Sequence, residues 1–148
     1  MLGTLLEDYN GLITTKETFK CAQGADLVVQ SIQDQLIKEA NRKLRCDVSE
    51  SKKSIQKVEK EARRAVEVMS NKDTVAVQIE SLYEGMDFQT TINRGRIEMF
   101  TPYKQIVEPI FDKFKQVAPD QVIVVGGGGK SPKIQVSLMD IDLDLLLP

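Results

Sequence analysis

Four consecutive glycines, followed by a lysine and a serine at 126–131, are the residues of this chain best suited to chemistry. They follow an apolar run at 122–125, which predicts a strand buried on both faces. Glycines let the backbone turn sharply and come close to a second molecule. Ser131 can cap a helix that begins at Pro132. A strand, a glycine loop and a helix N-terminus are together typical of phosphate or nucleotide binding.

Two other interpretations of the glycine stretch stay open. A P-loop requires a further glycine five positions before Gly129, where this chain has Val124, so a small P-loop kinase or NTPase is disfavoured. Pro132 also fits poorly just after a phosphate-binding Lys-Ser pair. A lone glycine run can equally be a flexible connector.

Several kinds of catalytic and metal site are excluded or disfavoured by the residue types. The chain has no histidine, which excludes Ser-His-Asp and Cys-His catalysis and histidine metal ligands within it. Asp140, Asp142 and Asp144 alternate with apolar residues, but the glycine and glutamate of a calcium loop are absent. We therefore expect no metal site, and a strand-like or disordered tail over 136–148.

Composition indicates one soluble globular domain. The 148 residues are 41% hydrophobic and 28% charged, and the net charge is −2 with both signs interspersed. This balance argues against a nucleic-acid partner. The chain has neither an apolar stretch of membrane-spanning length nor an N-terminal signal pattern, so we expect no membrane partner. Cys21 and Cys46 have no metal or redox spacing and are expected to be reduced thiols of a cytoplasmic protein.

A more specific pattern lies upstream of the glycines. Residues 81–88 read SLYEGMDF, 92–96 read INRGR, and 107–110 read VEPI. In this order, with the glycine stretch after them, the segments resemble the ATPase domain of the heat-shock protein 70 (Hsp70) chaperone family, over about residues 11–135. The family usually has GGSTRIP at the glycine stretch, whereas this chain has Gly-Gly-Lys-Ser at 128–131.

The resemblance implies an α+β fold, in which a helix-helix-hairpin-helix subdomain is inserted in part of an actin-like ATPase core. The insert would be the upper part of lobe II. Its roots, the segments 2–21 and 122–135, would lie side by side. The implied domains are 1–23, a β-hairpin root; 24–117, the helical and hairpin subdomain; and 118–148, a strand, glycine loop, helix start and divergent tail.

The same resemblance implies contacts to ATP or ADP. Gly126, Gly127 and Gly128 would pass close to the nucleotide, and Lys130 would lie on or near the adenine. Ser70 would line the adenine and ribose pocket.

The family also has a basic pair just before that serine. An alignment without gaps puts Val66 and Glu67 at these positions, and Glu67 would repel phosphate. A small gap would instead bring Arg63 and Arg64 onto them.

In the family, ATP is hydrolysed between two lobes, and the resemblance covers only one of them. The metal-binding aspartates and the catalytic lysine lie in segments that precede this resemblance. The chain is therefore expected to be a fragment or a degenerate short member that contributes the adenosine-contacting half of the cleft. We expect weak or lost nucleotide binding, magnesium only if the other lobe is supplied, no catalytic residue, and no ATP hydrolysis by the chain alone.

An alternative function is a non-catalytic interaction module. In the family, this subdomain is where nucleotide-exchange factors and other co-chaperones bind. The candidate surface is the hairpin edge near Gln78, Glu80 and Glu84. A plainer interpretation is that this edge strand is exposed to solvent and that its charged side chains prevent it from pairing with another strand.

The local patterns predict the elements that position these residues. Asn10-Gly11 predicts a hairpin turn, and Glu84-Gly85 a second one. Asp26 is expected to cap a first helix, and Ser49 or Ser51 a second.

A further helix should begin after Asn93, with Ile97, Phe100, Ile106 and other apolar residues on one face. Its prolines at 102 and 109 should divide or kink it.

Overall fold

The computed structural model describes residues 2–20, 24–126, 130–139 and 144–146. Over most of the chain, pairs of neighbouring strands are followed by pairs of helices, in keeping with the expected α+β class. In order they are β1 (Leu2–Tyr9), β2 (Leu12–Lys20), α1 (Ala25–Leu44), a 3-10 turn (Val48–Glu50), α2 (Lys52–Met69), β3 (Thr74–Tyr83), β4 (Met86–Asn93), α3 (Arg94–Phe100), α4 (Tyr103–Val117), β5 (Gln121–Ile123), α5 (Pro132–Met139) and β6 (Asp144–Leu146).

Both predicted hairpins are present. Asn10 and Gly11 join β1 to β2 with φ angles of 54° and 88°, and Glu84 and Gly85 join β3 to β4 with 48° and 80°. Two successive residues with positive φ angles give the turn a twist that matches the right-handed twist of the two strands it joins. In the first turn, the backbone N–H of Gly11 also donates to Oδ1 of Asp8 at 2.8 Å. The residue types alone were sufficient to predict these turns.

The two long helices begin in different ways. Ser51 caps α2, since its hydroxyl accepts from the N–H of Ser54 at 3.3 Å, as predicted. The expectation for α1 was wrong: Gly24 is its N-cap, without a side-chain bond, and Asp26 lies inside the first turn. A carboxylate there still favours the helix by facing the positive end of its dipole.

The core lies between α1, α2 and the β3–β4 hairpin. Alternate residues of β3 are buried, as a strand with one covered face requires. The α1 and α2 residues that face them recur at helical spacing. The most buried members are Ile32, Leu36, Ala40, Val58, Ala62, Ala65, Val77 and Phe88.

The prolines act differently on the last long helical segment. The chain breaks between α3 and α4 at Thr101 and Pro102, as predicted, whereas Pro109 lies inside α4 without ending it. Ile97 and Ile106 are buried as expected, but Phe100 is 53% exposed because it is the last residue of α3.

Two expectations about the glycine-loop strand were wrong. The described strands form three separate two-stranded sheets, so β5 pairs in parallel with β6 and not with the β1–β2 hairpin. The strand is also only three residues long, and it is not buried on both faces: Val122 is buried, but Ile123 is 62% exposed. With a single partner strand and one covered face, only every second residue of β5 can reach the core.

The tail prediction was partly right. A strand does form at 144–146, but α5 continues to Met139, so residues 136–139 are helical. Asp140 and Asp142 lie outside the described residues.

Candidate functional site: the glycine loop and the end of α2

The helix after the glycine loop begins where the sequence predicts. Pro132 is the first residue of α5, and the N–H of Gln135 donates to the carbonyl of Ser131 at 3.0 Å. Lys130 is exposed just before it. Gly126 has a φ of +92°, a conformation that other residues rarely adopt. Gly127 and Gly128 lie outside the described residues.

Ser70 ends α2 and faces the start of α5. Its hydroxyl donates to the carbonyl of Val66 at 3.3 Å, and its N–H donates to the carbonyls of Glu67 and Val68. Ser70 and Ser131 line one cavity of about 40 Å³. The other lining residues all belong to the helices α1 to α5: Val28, Val66, Met69, Arg94, Ile97, Glu98, Tyr103, Pro132 and Ile134.

Two polar residues of this cavity were missed by the sequence analysis. Burial, above all, raises the pKa of Tyr103, and the neighbouring Ser131 side chain partly offsets this by lowering it. Arg94 pairs through Nη2 with Oδ1 of Asp73 at 2.5 Å, and the N–H of its backbone donates to the carbonyl of Asp73. Its Nε is buried and has no hydrogen-bond partner among the described residues. Arg94 belongs to the INRGR motif at 92–96, which was given no role in the site, and no motif contains Tyr103. Tertiary packing brings both residues to the cavity.

The structure does not bring Arg63 and Arg64 to this cavity. Hydrogen bonds to Glu59 and Asp26, above all the first, raise the pKa of Arg63. Arg64 donates to Glu61 at 2.8 Å and to the carbonyl of Ala76 at 2.9 Å.

The alignment without gaps proposed Val66 and Glu67 for the same two positions, and these residues differ in their surroundings. Val66 lines the cavity as an apolar wall, and Glu67 is exposed three residues before Ser70. Of the residues proposed for the adenosine pocket, Ser70 therefore lines the same cavity as the start of α5. The two arginines do not line this cavity and instead bond to Glu59, Asp26, Glu61 and the carbonyl of Ala76.

The alternative interaction surface is a shallow groove of about 620 Å³ along the free edge of β3. Gln78 and Glu80 line it, together with Lys57, Lys60 and Arg64 of α2. Lys57 donates to the carbonyls of Glu80 and Ser81 at 2.9 and 2.7 Å. Side chains of α2 thus occupy part of the hydrogen-bonding edge that β3 does not share with β4.

The described residues offer neither a metal cluster nor a membrane span. No three histidine, cysteine or acidic side chains in that part of the chain are grouped so as to hold a metal ion. Among the described helices, none has the length and apolar character needed to span a membrane. Cys46 is a free thiol, and Cys21 is outside the described residues.

Comparison with known proteins identifies the family. Residues 6–142 match the Hsp70 protein family, so the chain belongs to it. The chain is 33% identical over 111 residues to a heat shock 70-related protein 5 of Dictyostelium discoideum, covering 69% of this chain and 21% of that protein. It is 32% identical over 109 residues to a ribosome-associated molecular chaperone of Eremothecium gossypii, covering 69% and 18%.

A longer match at lower identity extends over most of the chain. It is 28% identical over 145 residues to a heat shock protein of Pyricularia oryzae, covering 93% of this chain and 24% of that protein. The chain thus spans about a fifth of the length of the curated relatives it matches.

Proposed function

We propose that this chain is the adenosine-contacting part of an Hsp70-type molecular chaperone. One observation carries the proposal: Ser70 and Ser131, which are distant in the sequence, line the same cavity where the end of α2 meets the start of α5. The family motifs assign the first of these residues to the adenine and ribose pocket. The second directly follows Lys130, which the motifs place near the adenine.

The size of the cavity determines how a nucleotide would lie. A volume of about 40 Å³ is far below the roughly 300 Å³ or more of pockets that enclose a small organic ligand. A nucleotide would therefore lie over the mouth of the cavity, with the Ser70 hydroxyl within reach of the ribose or base. Lys130 is exposed and can lie against the base.

Nearby charges limit the expected affinity. Glu98 lines the cavity and Glu67 is exposed one helical turn before Ser70, so carboxylates oppose phosphate at this position. Lys130 and the positive end of α5 favour it. We expect weak ADP binding, and propose no residue of this chain as a magnesium ligand, because the family resemblance assigns that role to the other lobe.

Calorimetry with ADP tests the proposal. We expect Ser70→Ala and Lys130→Ala each to weaken ADP binding about two- to tenfold, the loss of one hydrogen bond or contact. Ser31→Ala is a matched control, since Ser31 on α1 also donates to the carbonyl four residues earlier but does not line the cavity. Lys52→Ala, at the opposite end of α2, is the control for charge. An absence of heat at millimolar ADP would remove nucleotide binding from the functions of this chain.

A second candidate function is docking of a nucleotide-exchange factor or other co-chaperone on the groove along β3. The observation that favours it is the mixed-charge groove formed by Gln78 and Glu80 with Lys57, Lys60 and Arg64. Co-precipitation with a purified exchange factor tests it. We expect Glu80→Lys to abolish binding and Glu50→Lys, exposed on the 3-10 turn, to leave it unchanged. Equal binding by both variants would refute the surface.

No nucleic-acid or membrane partner is proposed. A cytoplasmic location and the division into 1–23, 24–117 and 118–148 stay predictions.

A further inference from the structure

The turn after Ser70 is closed by backbone hydrogen bonds at both of its ends. Residues 71 and 72 donate their N–H groups to the carbonyl of Val68 in α2, at 3.1 and 3.0 Å. At the other end, the N–H of Arg94 donates to the carbonyl of Asp73 at 2.8 Å. The turn therefore joins the end of α2 to the first residue of α3.

Arg94 holds Asp73 a second time, through its side chain. Its Nη2 lies 2.5 Å from Oδ1 of Asp73, and the two side chains are 22% and 83% exposed, respectively. The arginine is thus the covered member of the pair. Its helix α3 is itself held in place, because it directly follows β4 and buries Ile97 in the core. Asp73 is therefore bound by both its backbone and its carboxylate to a residue that the core positions.

Ser70 lies where this attachment matters for a ligand. It is the C-cap of α2, and the end of a helix frays unless its backbone groups find partners. Its hydroxyl donates to the carbonyl of Val66 and keeps lone pairs that can accept from a ligand. Ser70 and Arg94 line the same cavity, whereas Asp73 does not line it. Apart from the effect of its charge, Asp73 can therefore act on this cavity only through other residues.

We propose that Arg94 is a positioning residue for the nucleotide site: by holding Asp73, it fixes the turn that keeps the Ser70 hydroxyl at the cavity. The inference rests on the proposed function. It gives a role to the first arginine of the INRGR segment and to Asp73, which lies outside the family motifs. Without the ion pair, the turn loses its side-chain attachment to α3, so Ser70 spends less time in the orientation that a nucleotide requires.

Calorimetry with ADP tests the inference by the sign of one change. Arg94→Met removes the guanidinium but keeps an unbranched side chain, and Asp73→Asn removes the charge of its exposed partner. We expect each variant to weaken ADP binding about two- to fivefold, since a partly exposed ion pair makes a modest contribution. Charge alone predicts the opposite result for Asp73→Asn, because losing a carboxylate favours an anionic ligand. Unchanged or tighter binding by Asp73→Asn would overturn the inference.

A double variant and two matched controls complete the calorimetry. Arg94→Met combined with Asp73→Asn should bind ADP no more weakly than Arg94→Met alone, because both changes break the same ion pair. Arg96→Met on α3 and Asp34→Asn on α1 make the same substitutions at exposed residues that do not line the cavity. Both controls should bind ADP within about twofold of the original chain. Additive losses in the double variant, or equal losses in the controls, would contradict the proposed role.

Hydrogen exchange provides a readout that needs no nucleotide. Relative to their intrinsic rates, the amides at positions 71, 72 and 94 should exchange about two- to fivefold faster in Arg94→Met and in Asp73→Asn. The amides of α1 should stay unchanged. If the original chain binds no ADP, the proposed function fails, yet exchange still decides whether the ion pair holds the turn. Unchanged exchange at these three amides in both variants would show that it does not, and the inference would be lost.

Discussion

The hydroxyl of Ser54, buried on α2, donates a hydrogen bond to the backbone carbonyl of Leu82 in β3, with 2.5 Å between the oxygens. Two more α2 side chains do the same along this strand: Lys57 donates to the carbonyls of residues 80 and 81, and Arg64 to that of Ala76. Helix α2 is thus fixed to β3 by polar contacts at one edge, as well as by its apolar face. These bonds occupy carbonyls that a free strand edge would offer to another chain.

Replacing Ser54 with alanine should therefore destabilise the fold. The substitution leaves the buried carbonyl of Leu82 without this donor, which typically costs about 1–3 kcal/mol in free energy of unfolding. Urea denaturation followed by circular dichroism measures the change. Ser31→Ala is the comparison, because its hydroxyl bond lies within a single helix turn. Equal midpoints for the two variants would contradict a special role for the Ser54 contact.

Two neighbouring arginines should differ in their effect on stability. Arg64→Ala removes a bond to the β3 edge and should lower the free energy of unfolding by about 0.5 kcal/mol, a small value because the side chain is nearly half exposed. Arg63→Ala removes only exposed ion pairs with Glu59 and Asp26 and should have no measurable effect. Thermal denaturation of both variants provides the comparison. A larger loss in Arg63→Ala would reverse the assignment.

Acid titration should reveal the contact between Asp47 and Ser49. Hydrogen bonds from the hydroxyl and N–H of Ser49 lower the pKa of Asp47. A lowered pKa contributes stability above the unfolded value of about 3.9, and this contribution is lost as pH falls through the folded value. Ser49→Ala should raise the pKa of Asp47 toward its ordinary value, measured by NMR titration of the carboxyl carbon. An unchanged pKa in the variant would show that the hydroxyl is not the cause.

Alkaline titration should reveal the environment of Tyr103. Its pKa is raised chiefly by burial, so the folded state holds the phenol proton more tightly than the unfolded state does. This contribution to stability is complete below about pH 10 and is lost as pH rises through the higher folded value. Tyr103→Phe should lose less stability than the original chain between neutral and strongly alkaline pH. Tyr9→Phe, on the exposed hairpin, should behave like the original chain.

Local features of the fold were predictable from the sequence, and pairings between distant segments were not. The turns at Asn10-Gly11 and Glu84-Gly85 need only residues that accept positive φ, and the cap at Ser51 needs only a hydroxyl before a helix. The partner of β5 depends on where a three-residue strand meets β6, which local propensity does not specify.

The candidate site shows the same division. Ser70 and Lys130 were identified by counting from the family motifs, and Pro132 by its position after a helix cap. Tyr103 carries no local signal for this cavity, and Arg94 was recognised only as part of the INRGR motif, without a role in the site. They reach it because the chain breaks between α3 and α4 at Thr101, and residues of both helices line one cavity with the end of α2.

The β1–β2 hairpin has a consequence for how the molecule opens. Leu6, Tyr9, Leu12 and Ile13 are all more than half exposed, and an ion pair of 3.4 Å joins the hairpin to α4 through Glu17 and Lys113. A two-stranded hairpin with so little covered surface is marginally stable by itself. It should therefore separate and reform on its own while the β3–β4 core stays folded, making its backbone accessible to a protease before that of the β3–β4 core.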